Sequence, residues 1–362
     1  MTPPIRVLVV DDSSVQRQML VALLQADPEL SVVGTASDGA RAIVEAGRLK
    51  PDVITMDLRM PGMDGLSAAE AIMARSPVPI LLVTASVSRD DQRLVVRAFS
   101  AGILAIVGKP SMHALDVHED FRRMVKGVSK VRLIARRTTR PPPVSAPPPP
   151  LPTEQRLRTR QSPAVMPIRV QRLDVIGIAS STGGPQVLEL ILSKLPANFP
   201  VPILVVQHIA KGFASSLVDW LASRCALSVR IAASGASLES GVWIADERHL
   251  RVVGRRTLLG LDAPVSGHRP SGTVLFRSLA ETFGSSALGV ILTGMGEDGA
   301  VGLQALHDAG GVTIAQDEHS SVIHGMPGAA MALGAVDFAL PPEEIAQAIL
   351  EFSRRGRSML EW

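Results

Sequence analysis

The chain has 362 residues, of which 46% are hydrophobic, so it is too long for one ordinary domain and can fill two hydrophobic cores. The net charge of +3 is too small to indicate nucleic-acid binding, and no segment approaches the roughly 20 consecutive apolar residues of a membrane span. The N-terminal stretch is too short and too acidic for a signal peptide, so we expect a soluble, cytoplasmic protein without direct membrane insertion. The one cysteine, Cys225, excludes an internal disulfide and a cysteine-based zinc site.

Residues 1–126 alternate apolar runs of strand length with amphipathic helical patterns. Five runs are predicted strands, at residues 5–10, 31–36, 52–56, 79–85 and 103–107. Such runs are typical of strands that are buried on both faces. Their alternation with helices predicts an α/β domain with a doubly wound parallel sheet.

Residues with complementary chemistry follow the ends of four of these strands. Asp11 and Asp12 follow the first run, Asp57 follows the third, Thr84 closes the fourth, and Lys109 follows the fifth. Three carboxylates at one sheet edge repel each other unless a divalent cation such as Mg²⁺ neutralises them. One carboxylate could then accept a phosphoryl group. Each aspartate alone could equally be a helix cap or turn residue, but the combination favours a site.

The motifs VVDDSS, MDLRMPGMDG, TAS and GKP make residues 1–125 resemble a two-component receiver domain, which has a flavodoxin-like fold. The resemblance implies that a histidine kinase phosphorylates Asp57. It also implies that Asp12 and Asp57 are Mg²⁺ ligands and that Asp11 assists them.

The same resemblance assigns the remaining strand ends, with one departure. Thr84 and Lys109 are implied to contact the phosphoryl group. Ile106 stands where many receivers carry an aromatic switch residue, so we expect signal transmission to differ from that of the best-known receivers.

A basic, proline-rich segment follows this domain. Residues 127–168 contain PPPVSAPPPPLP among many arginines and almost no aromatic residues, so they cannot bury enough surface to fold. We therefore predict a flexible linker that is a solvated tether, with transient contact to an acidic partner as the alternative.

The same alternation returns over residues 169–362. Predicted strands lie at residues 173–179, 201–207, 242–245, 287–294 and 311–315. Predicted helices lie at residues 185–195, 213–224, 273–283, 300–309 and 342–353. A second, larger, Rossmann-like parallel α/β domain is the prediction.

The stretch GIASSTGGPQ follows the first of these strands and carries two candidate nucleophiles, Ser180 and Ser181. It lacks the spacing of the known phosphate-binding glycine loops, which makes phosphate binding a weak interpretation. It also lacks the G-x-S-x-G elbow of ordinary hydrolases, so this loop alone does not identify a nucleophile.

Two other strand ends supply the rest of a serine hydrolase. His208 follows the second run and Asp298 lies just beyond the fourth, so a hydroxyl, an imidazole and a carboxylate should converge at one sheet edge. Each has an ordinary structural alternative, such as a helix cap for Asp298. Rival candidates for the acid are Asp246, Asp262 and Asp317.

The motifs STGG, QHIAKGF, HRPS, ILTGMGEDG and TIAQDE, after a receiver and a linker, resemble the chemotaxis protein-glutamate methylesterase family, often called CheB. The resemblance implies that Ser181 is the nucleophile, that His208 is the general base and then acid, and that Asp298 orients it. Thr182 is implied to help place the histidine, and the backbone N–H of Met295 to serve the oxyanion.

Some positions depart from the family pattern or stay open. Ala179 replaces a common glycine, and Thr273 stands where we expect an acidic residue, which leaves the substrate contacts around it open. Ser180 is expected to be a bystander. His249 and His268 are candidates for the pocket rim or the surface, each with a purely structural role as the alternative.

The resemblance implies a phosphorylation-controlled serine esterase that hydrolyses glutamate γ-methyl esters on methylated chemoreceptors. Receptor glutamines are a second expected substrate, and no cofactor is expected for hydrolysis. The alternative is a response regulator whose second domain binds a partner in a non-chemotaxis pathway. A DNA-binding regulator is disfavoured, because typical DNA-binding output domains are small and helical.

Overall fold

The computed structural model describes residues 3–84, 97–98, 103, 105–110, 115–130 and 172–355. The predicted linker at 127–168 therefore lies, beyond residue 130, outside the described residues. Within these ranges no helix is long and apolar enough to cross a bilayer.

The N-terminal domain is a five-stranded parallel sheet with the strand order β2-β1-β3-β4-β5. Its strands are β1 (Ile5–Val10), β2 (Leu30–Ala36), β3 (Val53–Asp57), β4 (Ile80–Thr84) and β5 (Ala105–Gly108). Its described helices are α1 (Ser14–Gln25), α2 (Gly39–Leu49), α3 (Gly65–Arg75) and α4 (Leu115–Ser129). The five predicted strands are thus confirmed. The last helix runs three residues past the predicted domain boundary at 126, into the predicted linker.

Local capping explains where the first three helices begin. Ser13, Asp38 and Asp64 each accept a hydrogen bond from a backbone N–H of the first turn. This satisfies one of the N–H groups that a helix start leaves without a partner.

The C-terminal domain has a seven-stranded parallel sheet with the strand order β14-β13-β12-β6-β7-β9-β8. The strands of this sheet are β6 (Val175–Ser180), β7 (Pro202–Gln207), β8 (Val229–Ile231), β9 (Gly241–Ile244), β12 (Ala287–Ile291), β13 (Val312–Gln316) and β14 (Phe338–Leu340). An antiparallel hairpin of β10 (His249–Val253) and β11 (Arg256–Gly260) stands apart from it. The described helices are α5 (Gly184–Leu192), α6 (Ala214–Ala222), α7 (Gly272–Phe283), α8 (Ala300–Asp308), α9 (Gly325–Ala332) and α10 (Pro342–Arg355).

All five predicted strands and all five predicted helices of this domain are present, and four strands and one helix were missed. Strands β8 and β14 have three residues each, which is too short to give a periodic signal. The β10–β11 hairpin turns at Gly254, and α9 contains two glycines and a proline in GMPGAAMA, a composition that disfavours a helix prediction.

Strand order places the functional crevice. The first strand, β6, lies centrally between β7 and β12, so the chain winds outward in both directions from it. The carboxyl ends of β6 and β12 flank the point where the winding reverses, which is where ligands bind in such sheets.

Candidate active site and phosphoacceptor site

The turn after β6 places Ser181 at this crevice. The Ser181 N–H donates to the carbonyl oxygen of Thr293 beyond β12 (3.0 Å), and the Gly184 N–H donates to the Ser181 carbonyl (2.9 Å). Gly183 has φ +79°, and a Cβ there would lie 2.5 Å from a methyl group of Val322, so both backbone and space require glycine. The turn is therefore tied to the neighbouring strand end and tightly packed.

Ser180 is engaged in the interior. It is fully buried, and its hydroxyl donates to Oε1 of Gln207 at 2.7 Å. The Gln207 amide in turn donates to the carbonyl oxygens of Ser181 and His208, both at 2.8 Å. Gln207 thus joins the two strand ends that carry the candidate nucleophile and base. Sequence reasoning missed this role, because a glutamine at a strand end has no local signature.

His208, which is partly buried, pairs with the fully buried Asp298. His208 Nε2 lies 2.9 Å from Asp298 Oδ2. The carboxylate also accepts hydrogen bonds from the Ser271 hydroxyl (2.6 Å) and from the backbone N–H groups of Gly272 (2.6 Å) and Thr273 (3.2 Å), where α7 begins. Asp298 therefore caps α7, rather than the helix that starts after Gly299.

These contacts determine the charge of Asp298. Burial disfavours its ionised form, but the hydrogen bonds from His208, Ser271 and the α7 backbone outweigh burial and hold the pKa of Asp298 well below its usual range. The carboxylate is therefore ionised and accepts, so His208 donates from Nε2–H. When the His208 ring is neutral, its Nδ1 atom is therefore the nitrogen that carries the lone pair.

That Nδ1 atom is buried and has no hydrogen-bond partner among the described residues. It belongs to a side chain that lines the same cleft as Ser181. A serine and a histidine at such a site are often loosely aligned without substrate. The unpartnered Nδ1 atom thus belongs to a side chain that shares one cleft with Ser181.

The three rival acids lie elsewhere. Asp246 pairs with Arg248 at 2.5 Å, and Asp262 pairs with Arg251 at 2.6 Å. Asp317 accepts hydrogen bonds from the turn that directly follows it. The structure therefore brings none of them to the histidine.

The loop after β12 completes the cleft opposite the nucleophile. A Cβ on Gly294 would lie 2.7 Å from Cβ of Ser181, so the backbone approaches the serine closely. Met295 and Thr182 line the cleft. None of the hydrogen bonds found in the described residues uses the Met295 N–H, which leaves this donor free for an oxyanion. The hydroxyl of Thr293 donates to the Thr182 carbonyl at 3.0 Å.

The two open histidines have different environments. His249 is fully buried in β10, with Nε2 3.0 Å from the carbonyl oxygen of Ala263, so it has the structural role that was the alternative to a rim or surface position. His268 does line the cleft. Its ring stacks on that of His208, with centroids 3.9 Å apart and planes 11° apart.

Thr273 takes a structural role in place of the expected acid. Its hydroxyl oxygen accepts a hydrogen bond from the Gly299 N–H at 2.8 Å, directly before α8. It therefore joins the starts of α7 and α8 on either side of Asp298, without placing a second carboxylate there.

The N-terminal domain has its own polar site at its sheet edge. Lys109 Nζ lies 2.7 Å from Asp57 Oδ2 and 2.7 Å from Asp11 Oδ2. Burial raises the pKa of Asp57, and the Asp11 charge adds to this, against the lowering effect of Lys109. Burial opposes the Lys109 charge, but hydrogen bonds to both carboxylates raise its pKa. Thr84 is buried at the end of β4.

The acidic residues fit a divalent cation. Carboxylate oxygens of Asp11, Asp12 and Asp57 lie within 4.8 Å of one another. One lysine among three carboxylates leaves a net charge of about −2, and oxygen ligands of this kind suit Mg²⁺.

The N-terminal domain forms one wall of the hydrolase cleft, which has a volume of about 220 Å³. Ile106 on β5 and Met124 on α4 face a cleft that Ser181 and His208 line from the other side. Lys109, which contacts Asp57, directly follows the cleft-lining end of β5. The two candidate sites are therefore separated by a single short strand.

Three further contacts hold this wall in place. The Gln186 side chain on α5 donates to the carbonyl oxygen of Ile103 at 2.6 Å. Gly127 on α4 packs against Ile323, so closely that an added Cβ would lie 2.5 Å from its terminal methyl carbon. The neighbouring Val322 packs against the core of the N-terminal domain.

A receiver-type domain beside a parallel α/β domain with serine, histidine and aspartate at one edge defines a response regulator with a hydrolase-type output domain. Two family models agree with this assignment. The model of the response regulator receiver domain matches residues 7–118, and the model of the CheB methylesterase matches residues 176–349.

Relatives extend over nearly the whole chain. Protein-glutamate methylesterase/protein-glutamine glutaminase 3 of Anaeromyxobacter dehalogenans is 46% identical over 97% of this chain and 100% of its own length. Protein-glutamate methylesterase/protein-glutamine glutaminase 4 of Myxococcus xanthus is 45% identical over 90% of this chain and 90% of its own length. The crystal structure of the Thermotoga maritima CheB methylesterase catalytic domain is 36% identical, with a TM-score of 0.48, over 49% of this chain and 98% of that one. The chain belongs to the protein-glutamate methylesterase/protein-glutamine glutaminase family.

Proposed function

We propose that this protein is a phosphorylation-controlled esterase that hydrolyses glutamate γ-methyl esters at the cytoplasmic helices of chemoreceptors. Receptor glutamines are its second substrate, because ester and amide pass through the same tetrahedral oxyanion. The observation that carries the proposal is the His208–Asp298 pair, whose unpartnered Nδ1 atom belongs to a side chain that shares the cleft of Ser181.

The geometry supports a two-step acyl transfer. Ser181 Oγ attacks the ester carbonyl carbon while His208 Nδ1 takes the hydroxyl proton, and the Met295 N–H stabilises the oxyanion. The proton then passes from His208 to the leaving oxygen, and methanol departs. Water attacks the acyl-enzyme with the same histidine as base, which releases the glutamate carboxylate and restores Ser181. Asp298 stabilises the imidazolium that forms in each step, with Thr182 helping to shape the site.

The receiver regulates access to this site. In the described arrangement residues of β5 and α4 line the cleft beside Ser181, so we expect them to hinder the approach of a receptor helix. A histidine kinase transfers a phosphoryl group to Asp57. Asp11, Asp12 and Asp57 would hold Mg²⁺, which would offset the negative charge there.

Phosphorylation also changes the contacts of Lys109. Before phosphorylation, Lys109 pairs with Oδ2 of Asp57. The added phosphoryl group then attracts Lys109 together with Thr84. Lys109 directly follows the cleft-lining part of β5, so its movement weakens the receiver's packing over the hydrolase. Coupling of this kind does not require an aromatic residue at Ile106.

The experiment measures methanol release from methylated receptor membranes with and without a small phosphodonor. Wild type, Ser181→Ala and Ser180→Ala are compared. If methanol release is lost only in Ser181→Ala and the phosphodonor stimulates wild type, the result supports both Ser181 as the nucleophile and control by phosphorylation. No release by wild type under either condition favours a partner-binding second domain, and loss in Ser180→Ala alone moves the nucleophile by one residue.

A further inference from the structure

We propose that His268 is a positioning residue that holds the catalytic ring of His208 by stacking on its face. The inference rests on the proposed function, because it concerns the base of the same reaction. It assigns a task to a side chain that lines the cleft but belongs to none of the three triad positions.

A single hydrogen bond does not determine the orientation of an imidazole. The Nε2 contact with Asp298 fixes one edge of the His208 ring but leaves the ring free to turn about that contact. His268 supplies the second constraint, because a nearly parallel ring at 3.9 Å blocks such a turn toward its side. With both constraints present, Nδ1 keeps one direction within the cleft.

His268 is itself held firmly enough to serve as a support. Its Nδ1 lies 2.7 Å from the carbonyl oxygen of Ser266, and its backbone exchanges two hydrogen bonds of 3.0 Å with Val265. Ser266 has φ +50°, a conformation that a residue other than glycine adopts only where its surroundings impose it. The Arg269 guanidinium donates to the carbonyl oxygen of Leu261 at 3.1 Å, which ties down the end of this turn.

The charges around His268 favour a neutral ring. Burial lowers its pKa, and so does the neighbouring His208; the Ser266 carbonyl, Asp298 and Asp120 on α4 act in the opposite direction but do not outweigh them. A neutral His268 does not repel the imidazolium that His208 becomes when it takes the serine proton. The Nδ1–H of His268 donates to the carbonyl oxygen of Ser266, so the ring of His268 stays in place during the reaction.

The test separates a stacking ring from a substrate contact. Full-length His268→Ala, His268→Asn and His268→Phe are compared with wild type and Ser181→Ala by phosphodonor-stimulated methanol release. The labelling rate of Ser181 by a fluorophosphonate is measured on the same proteins, because it reports nucleophile activation without any receptor. Thermal unfolding verifies that each variant is folded.

We expect Ala and Asn to lower kcat and the labelling rate by about 10- to 100-fold, as for a misplaced catalytic group, with KM unchanged. Phe keeps a flat ring and should restore both rates to within about threefold of wild type. The inference is overturned if Ala retains wild-type rates, if Phe is as slow as Ala, or if only KM changes. An inactive wild type that labels no faster than Ser181→Ala would instead overturn the proposed function.

Discussion

Gly127→Leu tests whether receiver packing limits the enzyme. Gly127 faces Ile323, and an added Cβ would lie 2.5 Å from its Cδ1 atom and 2.8 Å from its Cγ1 atom. The Ile323 backbone cannot easily retreat, because its N–H donates to the Thr293 hydroxyl (3.0 Å) and its carbonyl accepts from the Gly294 N–H (2.9 Å). A leucine there has to displace the Ile323 side chain, and we expect the whole leucine side chain to push the receiver away from the hydrolase.

The magnitude follows from the cost of overpacking. Extra methylene groups in a tightly packed contact cost about 1–3 kcal/mol. Because about 1.4 kcal/mol corresponds to a tenfold change, the equilibrium shifts toward the undocked receiver by about 5- to 150-fold. Leucine also stabilises α4 relative to glycine, but it does so in the docked and undocked states alike, so this contribution cancels. The unstimulated rate of methanol release should therefore be higher than in wild type, with the phosphodonor-stimulated rate as its upper limit.

The assay is methanol release from methylated receptor membranes without phosphodonor. Gly47→Leu is the matched control, because Gly47 also lies within a helix, α2, and an added Cβ there meets nothing within 4 Å. We expect higher unstimulated activity only in Gly127→Leu. Equal activities in the two variants, with normal phosphodonor stimulation in both, would refute the idea that this contact restrains the enzyme.

Three further perturbations address other parts of the molecule. Asp57→Asn should abolish stimulation by a small phosphodonor, and persistent stimulation would contradict its role as phosphoacceptor. Ser271→Ala removes a hydrogen bond that holds the Asp298 carboxylate in place, so His208 is oriented less well and kcat should fall by about 10-fold, as for a misplaced catalytic group, without a change in KM; a change in KM alone would disprove this role. Because the pKa of His268 is lowered in the folded state, the stability from its neutral ring is complete above about pH 6.5 and is lost as the pH falls through the folded-state pKa. Between about pH 7.5 and about pH 5, the unfolding temperature should therefore fall less in His268→Phe than in wild type. An equal fall in the two proteins would contradict a lowered pKa of His268.

Much of the fold was predictable because parallel strands have a strong local signature. Continuous apolar runs indicated ten strands at nearly their observed positions, and strand-end residues marked where both sites lie. The strands missed are too short or belong to a separate hairpin, where neighbouring structure rather than the local pattern decides the conformation.

The candidate active site was also predictable only in part. Family motifs pointed to Ser181, His208 and Asp298, and the structure brings the histidine and the aspartate to 2.9 Å. Ser271 could have been recognised as a cap of the predicted helix that follows it. No local pattern could show that its hydroxyl binds a carboxylate 27 positions away or that Gln207 joins two strand ends.

By itself, the amino-acid sequence determined which residues carry chemistry and which strand ends hold them, because hydrophobic periodicity and strand-end position are properties of short segments. Only the tertiary structure showed that Asp298, and none of its rivals, contacts His208, that His268 covers the face of the His208 ring, and that residues of the receiver line the cleft. These three facts depend on contacts between residues far apart in the chain, and such contacts exist only once both sheets have formed and packed together.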